Sequence, residues 1–376
     1  MLLRVHFFPG LCLLLLGLAL QFHILGWLLG RYRQRGWIIS GASASTILLV
    51  LGYALEFPWA QRISLVTWWT WLECAALVET IWLMGFSFAL LIWSRTPRFD
   101  PARRRMLRAA GAAVCVVPVV GTAFGYVRRN RFRVSELPVP IPNLPKDLDG
   151  LRIVQITDIH LSEFLSEREL AAAIDMANET RANLALVTGD LITRRGDPLD
   201  ACLRQLARLR ADAGVLGCLG NHEVYAKVED YVTTQGRRVG IEFLRLQSKL
   251  LRFGSAAINF AGVDYQKMYS RYLAGADRLI VPGAVNILLS HNPDVFPVAA
   301  AQGYHLTIAG HTHGGQVDFE ILHQHVNVAR YFTPYVRGLY RHQKSSVYVS
   351  TGLGTIGVPV RIGAPPEISV LRLCAT

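Results

Sequence analysis

Five short motifs in the second half of the chain hold the residue types of hydrolytic metal chemistry: Asp158-Ile159-His160, Gly189-Asp190, Gly220-Asn221-His222-Glu223, Ser290-His291 and Gly310-His311-Thr312-His313-Gly314. Carboxylates, imidazoles and one amide oxygen, with no thiolate among them, suit a borderline divalent ion such as Mn, Fe or Zn. Two such ions roughly 3.5–4 Å apart can clamp the attacking and leaving oxygens of a phosphoryl centre, and they lower the pKa of bound water. A pair of ions needs a shared anionic ligand, and Asp190 is the natural choice. Taken singly, each motif has a plainer reading, since Gly-Asp is usually a turn and one His usually packs or faces water. Five in order, each at the end of a strand-like run, are not explained by packing.

The elements that must position these motifs are visible as hydrophobic periodicity. Short apolar runs at 153–156, 184–187 and 215–219 alternate with amphipathic stretches at 166–180 and 198–211, which is α/β patterning. Runs at 257–263, 285–290, 305–309, 346–350 and 368–373 follow with less helix between them, and they predict a second, more antiparallel sheet. In layered α/β folds the carboxyl ends of strands gather on one rim, so residues far apart in the chain can meet there.

The first half is of another kind. Of the 376 residues, 52% are hydrophobic and 18% charged, and the mean hydropathy is +0.29, a balance that calls for an integral membrane portion. Four apolar stretches, 7–30, 37–57, 66–93 and 107–127, are long enough to cross a bilayer as helices. Together they predict an all-α transmembrane region over 1–133, with Trp68, Trp69 and Trp71 as an interfacial belt. The first stretch is too long for a cleavable signal and no small-residue cleavage site follows it, so it is expected to stay attached. Glu73 and Glu79 lie inside an apolar span, where a carboxyl is costly and is either paired with a neighbouring helix or functional. Between the halves, 134–150 contains Pro138, Pro140, Pro142 and Pro145 and reads as an extended linker to a domain over 151–376.

The net charge of +12 is concentrated in the first half: residues 1–133 hold fifteen Arg and no Lys against Glu56, Glu73, Glu79 and Asp100. A pI near 9.7 would suit nucleic-acid binding, but Arg beside apolar segments read better as determinants of membrane orientation, and no nucleic acid is expected. Six cysteines without CxxC spacing indicate neither a disulfide framework nor a thiolate metal site, and a Cys202–Cys218 bridge is open but not required.

The ordered set DxH, GD, GNH(E/D), H, GHxH resembles the calcineurin-like metallophosphoesterases and is matched without a missing element over about 151–376. The extended forms Gly310-His-Thr-His-Gly-Gly-Gln316 and Ser350-Thr-Gly-Leu-Gly354 look like the bacterial membrane-associated phosphodiesterase branch. The resemblance implies a two-sheet β sandwich flanked by helices. It further implies that Asp158, His160 and His313 bind one metal and that Asn221, His291 and His311 bind the other, with Asp190 bridging. His222 stays off the metals and serves the phosphoryl transition state or the leaving oxygen, and a metal-bridging hydroxide is the nucleophile. Glu223 is read as orienting a ligand, capping a helix or touching substrate. Arg361, after a glycine-rich run, is read as reaching a substrate phosphate or as a solvated surface residue. Tyr265, Lys267, Met268, Tyr269, Arg271 and Tyr272 form either a lid over an amphiphilic substrate or an ordinary surface loop.

The expected activity is hydrolysis of a phosphodiester, phosphomonoester or pyrophosphate bond, with a phospholipid or a lipid-linked nucleotide as substrate. A catalytically weak sensor built on the same metal-binding domain is the rival, although such a domain should have lost a ligand. Transport is disfavoured because four spans make a small pathway without interrupted helices. Counting Arg near the membrane gives nine on the face of the loops at 31–36 and 94–106 and six on the other, which places the domain outside the cytoplasm, anchored in the inner membrane. Arg103-Arg104-Arg105-Met106-Leu107-Arg108 before the run 109–127 resembles a twin-arginine export signal, with anchoring of a helix end as the alternative.

Overall fold

The structure, a computed structural model, describes residues 3–33, 35–54, 66–95, 101–267, 270–321 and 324–376, with side chains at 3–9, 66–69 and much of 101–118 left out. The loop near Arg62, the side chains of Trp68 and Trp69, and Met268 and Tyr269 therefore lie outside the described residues. The chain divides into two units, Met1–Phe124 and Gly125–Thr376.

The first unit is helical: α1 (Leu3–Arg31), α2 (Arg35–Tyr53), α3 (Val66–Arg95) and most of α4 (Pro101–Arg128). Within the first three, Gly10–Arg31, Arg35–Tyr53 and Thr70–Ile92 are long and apolar enough to cross a membrane, with mean hydropathies of 2.1, 1.5 and 1.9. Their outward residues, such as Phe22, Trp37, Ile47 and Phe88, are apolar and exposed. Their contacts are close at small residues: Gly52 lies against Ala76 and the Leu72 carbonyl, leaving no room for a Cβ, and Tyr53 and Thr80 hydroxyls meet at 3.0 Å.

The second unit is two six-stranded sheets packed face to face. The first runs β1 (Arg133–Ile141), β14 (Glu367–Ala375), β2 (Arg152–Ile156), β3 (Leu184–Thr188), β4 (Val215–Cys218) and β5 (Ile241–Phe243). The second runs β12 (Gly338–His342), β13 (Ser345–Val349), β9 (Leu306–Ala309), β8 (Val285–Leu289), β7 (Ala256–Gly262) and β6 (Gln247–Phe253). Side chains from both inner faces, among them Ile153, Leu186, Leu216, Ile258, Phe260, Ile287 and Ile308, form the core between them. Helices α5 (Glu167–Glu179), α6 (Leu199–Leu206) and α8 (Glu229–Arg238) cover the outer face of the first sheet, and α9 (Phe296–Gln302) covers the second. With both faces buried, β2, β3, β8 and β9 read as continuous apolar runs instead of alternating ones.

Two expectations are corrected. The second sheet is not mainly antiparallel: β7, β8, β9 and β13 are parallel neighbours, and only the outer β6 and β12 pair antiparallel. The segment 134–150 is not a linker. Residues 133–141 are the edge strand β1, paired in parallel with β14 along its whole length, and Leu148 in the following 3₁₀ turn is fully buried. Pro138 and Pro140 are two apart, so both place their missing N–H on the same side of an edge strand, where no partner is needed. Cys202 and Cys218 are both free and buried, so they form no bridge.

Candidate metal centre

The strand ends bring the five motifs together. Asp158 and His160 follow β2, Asp190 follows β3, and Asn221 and His222 open a short helix, α7 (Asn221–Ala226), after β4; His291 follows β8, and His311 and His313 follow β9. Each of the two sheets therefore delivers its ligand-bearing turns from the carboxyl ends of parallel strands. These turns are strained: Asp158, His160, Asp190, His311 and His313 all have φ between 48° and 76°, a region non-glycine residues rarely occupy. Strain is held by hydrogen bonds from the neighbouring motifs. The His311 N–H donates to both Asp158 carboxylate oxygens at 2.9 and 3.1 Å, and the His222 N–H donates to Asp190 Oδ1 at 2.9 Å.

Asp158, His160, Asp190, His291, His311 and His313 converge, together with His222. Three sets of donor atoms each lie within 4.8 Å of one another: Asp158, His160 and His313; Asp190, His291 and His311; and His160, Asp190 and His222. Asp190 belongs to two of them, and its Oδ2 is 3.0 Å from His291 Nε2, 3.6 Å from His160 Nε2 and 4.0 Å from His222 Nε2. His160 Nε2 and His313 Nε2 face each other at 3.1 Å. The rings are oriented from behind: His291 Nδ1 sits 2.7 Å from the Thr188 carbonyl and His222 Nδ1 bonds the Thr193 carbonyl. A proton on Nδ1 leaves the Nε2 lone pair of each pointing inward.

The donor set fits divalent ions on its own geometry. Asn221 Oδ1 is buried and accepts no hydrogen bond, and His291 Nε2 faces the Asp190 carboxylate at 3.0 Å. Buried polar atoms are rarely left unpaired, and a cation would satisfy the Asn221 oxygen. The charge distribution agrees. Burial pushes Asp158 up to about 6, while His160 is pushed down to about 3 by burial and His222, and His311 to about 4 by burial and His291. Against the opposing effect of its own burial, Asp190 is held well below the ordinary carboxylate range by His291 and His222, and His291 is raised to about 10 by Asp190 and Asp158.

Glu223 and Arg361, read from sequence as weak substrate contacts, are both buried, and their polar atoms are spent on backbone. The Glu223 carboxylate accepts the Asp190, Leu191 and Gly220 N–H groups at 2.9, 2.7 and 2.8 Å, clamping one motif to the next. Arg361, 2% exposed, donates to the carbonyls of Thr351, Ala364 and Gly354, with His313 O at 3.4 Å, and so ties the His313 turn to 351–354. Burial lowers its pKa to about 10, which leaves it a cation. Glu223→Gln is expected to keep the shape but turn an NH₂ toward a backbone N–H, leaving a buried donor unpaired at a cost of about 1–3 kcal/mol. Denaturant unfolding together with metal analysis checks this; an unchanged midpoint with full metal would show that the clamp does not matter.

The aromatic surroundings were only partly foreseen. Tyr265 of the suspected lid lies against the His311 ring at 5.6 Å and the His291 ring at 6.5 Å. Tyr225, one turn after His222 on α7, stands edge-on to the His222 ring at 5.5 Å. The signal for Tyr225 was its spacing of three from His222 on a helix, which puts both on one face.

Comparison with known proteins gives the same answer. The family model described as calcineurin-like phosphoesterase matches residues 151–331. An uncharacterized metallophosphoesterase of Bacillus subtilis, YkuE, is 30% identical over 290 residues, covering 73% of this chain and 98% of that protein. The uncharacterized metallophosphoesterase Cj0846 of Campylobacter jejuni is 32% identical, covering 64% of this chain and 63% of the relative. A protein of Danio rerio named as a transmembrane protein with metallophosphoesterase domain is 31% identical over 64% of this chain and 57% of its own length. With the two sheets, the strand-end motifs and these relatives in agreement, the chain belongs to the calcineurin-like phosphoesterase family and is a metal-binding phosphoesterase.

Proposed function

We propose that the chain is a membrane-anchored phosphoesterase of the inner membrane that uses two divalent ions to hydrolyse a phosphodiester, phosphomonoester or pyrophosphate bond of a lipid-linked substrate. The observation that carries the reading is the convergence of Asp158, His160, Asp190, His291, His311 and His313 in overlapping sets of donor atoms, with the buried Asn221 Oδ1 left without a hydrogen-bond partner. Asp158, His160 and His313 would hold one ion, Asn221, His291 and His311 the other, with Asp190 between them. Two ions so held supply a water of lowered pKa and a clamp on the phosphoryl oxygens. The residues do the rest. Asp190, ionised under all ordinary conditions, keeps the anionic charge that the pair shares. His222, its Nδ1 tied to the Thr193 carbonyl, holds a fixed Nε2 toward the centre and can give a proton to the leaving oxygen.

The test is turnover of a soluble aryl phosphodiester by the purified full chain before and after a chelator, then after Mn is restored. Loss and recovery support the reading; turnover indifferent to chelator would end it. The lipid-linked substrate is supported by the apolar helices, and a panel of phospholipids, lipid-linked nucleotides and soluble nucleotides separates it from a soluble one. The Arg distribution supports a non-cytoplasmic catalytic unit. A reporter that works only outside the cytoplasm, fused after Thr376, is expected to be active; a silent one beside an active cytoplasmic reporter reverses the assignment.

A further inference from the structure

Beside the metal centre, a buried polar hub holds an apolar surface out toward solvent. The Asp318 carboxylate, almost fully buried, receives Asn327 Nδ2 at 2.7 Å, His325 Nδ1 at 2.8 Å and Arg337 Nη2 at 2.9 Å. Its backbone N–H donates to the Ile362 carbonyl at 2.8 Å, and the Gln316 side chain binds the backbone of both Ile356 and Val358. These bonds join the strands β10 (Phe319–Ile321) and β11 (Gln324–Val326), the 3₁₀ turn Val328–Tyr331 and the loop 356–362 into one platform. The platform abuts the turn that carries His311 and His313. Asn327 leaves no room for a Cβ at Gly315, and Thr312 Oγ1 donates to the Val336 carbonyl at 2.5 Å.

What the platform presents outward is Phe319 and its cross-strand neighbour Val326, then Val328, Tyr331, Phe332 and Ile356. Val328 is 69% exposed, Tyr331 83% and Phe332 65%, so three large apolar side chains within five residues stand almost free. Scattered exposed apolar residues are ordinary, but a cluster held outward by a buried ionic hub marks an interaction surface.

One occupant is favoured. The same chain carries three helices long and apolar enough to cross a bilayer, and if they do, a lipid surface would be tethered to this unit by its own chain. Within the same unit, the Arg361 N–H donates to the Gly125 carbonyl at 3.1 Å, and Gly125 packs against Val360 and Ile362. Close by in sequence come Arg128, Arg129 and Arg131, with the Arg129 guanidinium 3.9 Å from the centre of the Tyr126 ring, and Arg330 lies on the 3₁₀ turn itself. Exposed aromatic and aliphatic side chains with Arg330 among them are the composition of a surface that sits among anionic headgroups.

The geometry points to a bilayer-docking surface formed by Val328, Tyr331, Phe332 and their neighbours, which seats the mouth of the metal centre on the lipid headgroups. The docking rests on the platform together with the membrane-anchored reading proposed above. Its consequence, that the ester is drawn from the lipid layer, rests on the hydrolase reading proposed above.

The test uses the full chain in nanodiscs of phosphatidylcholine and phosphatidylglycerol, with a photoreactive benzoylphenylalanine in place of Tyr331 or Phe332, and of Leu250 on the edge strand β6 as comparison. Irradiation is expected to yield phospholipid adducts at 331 and 332 and few at 250. Adduct levels at 331 and 332 no higher than at 250, or crosslinks to a second copy of the chain, would overturn the docking. A second arm pairs Tyr331→Glu with Phe332→Glu: hydrolysis of a phosphodiester carried on a nanodisc lipid should fall on the order of tenfold, with turnover of a soluble aryl phosphodiester unchanged. An equal fall on both substrates counts against the docking. If the parent protein turns over neither, the hydrolase reading fails, and the adducts still decide the surface.

Discussion

Asp190→Asn is expected to strip the protein of bound metal and of nearly all turnover while leaving the fold intact. The side chain occupies the middle of the site, with Oδ2 between 3.0 and 4.0 Å from the Nε2 atoms of His291, His160 and His222. Its neighbours keep it ionised, so it supplies a full negative charge that an amide of the same shape cannot. The fold should tolerate the change, because an amide oxygen can still accept the His222 N–H that Oδ1 now accepts. If Asp190 is shared by two ions as proposed, its loss should exceed the roughly 10- to 100-fold loss in affinity that follows from removing a residue that only orients a ligand. Metal analysis of the purified variant beside its kcat/KM checks this. Two retained ions with near-normal turnover would remove Asp190 from the bridging position.

His222→Ala is expected to behave in the opposite way, with metal largely retained and turnover lowered by about 10² to 10⁴, the range for a removed acid or base. The geometry makes this a sharp test, because His222 is within reach of His160 and Asp190 and the three donors together are compact enough to hold an ion. What argues for a proton-transfer role is its place among the other imidazoles. Of the two described His whose Nδ1 meets a backbone carbonyl, His291 is fully buried beside Asp190, whereas His222 stands 8% exposed with its Nε2 4.0 Å from Asp190. The Ala variant keeps the backbone N–H that supports Asp190, so the ligand shell survives. His311→Ala serves as the reference for a lost ligand: if His222→Ala loses metal to the same extent, His222 is a ligand and the proton donor lies elsewhere.

Both variants address residues that were legible without coordinates, and the reason is local. A buried parallel strand must be a short apolar run, and its carboxyl end must break that run with a turn, so a polar residue there stands out. The runs at 153–156, 184–187, 285–290 and 305–309 accordingly fall within one residue of the observed strands at each end, and the motifs sit immediately after them. The apolar stretches of α1 to α3 were equally readable, because a segment that satisfies its own backbone in lipid needs no partner to be recognised.

Chemical type, strand ends and membrane-length helices were thus determined by the sequence alone, while pairing, burial and backbone strain were decided only by the tertiary structure. Residues 133–141 look like a proline-rich linker until β14, more than two hundred residues later, lies beside them and makes them an edge strand. Glu223 and Arg361 have the right chemistry to meet a substrate, and only the surrounding turns, by closing over them, make them clamps on backbone. The left-handed φ angles of Asp158, His160, Asp190, His311 and His313 carry no local signature either, since none is glycine. Each is unfavourable for its own residue and persists because hydrogen bonds from distant segments hold it, such as the His311 N–H on Asp158 across 153 positions of sequence. Contacts of that range cannot be read from neighbours in the chain, because their free energy exists only once both sheets are assembled.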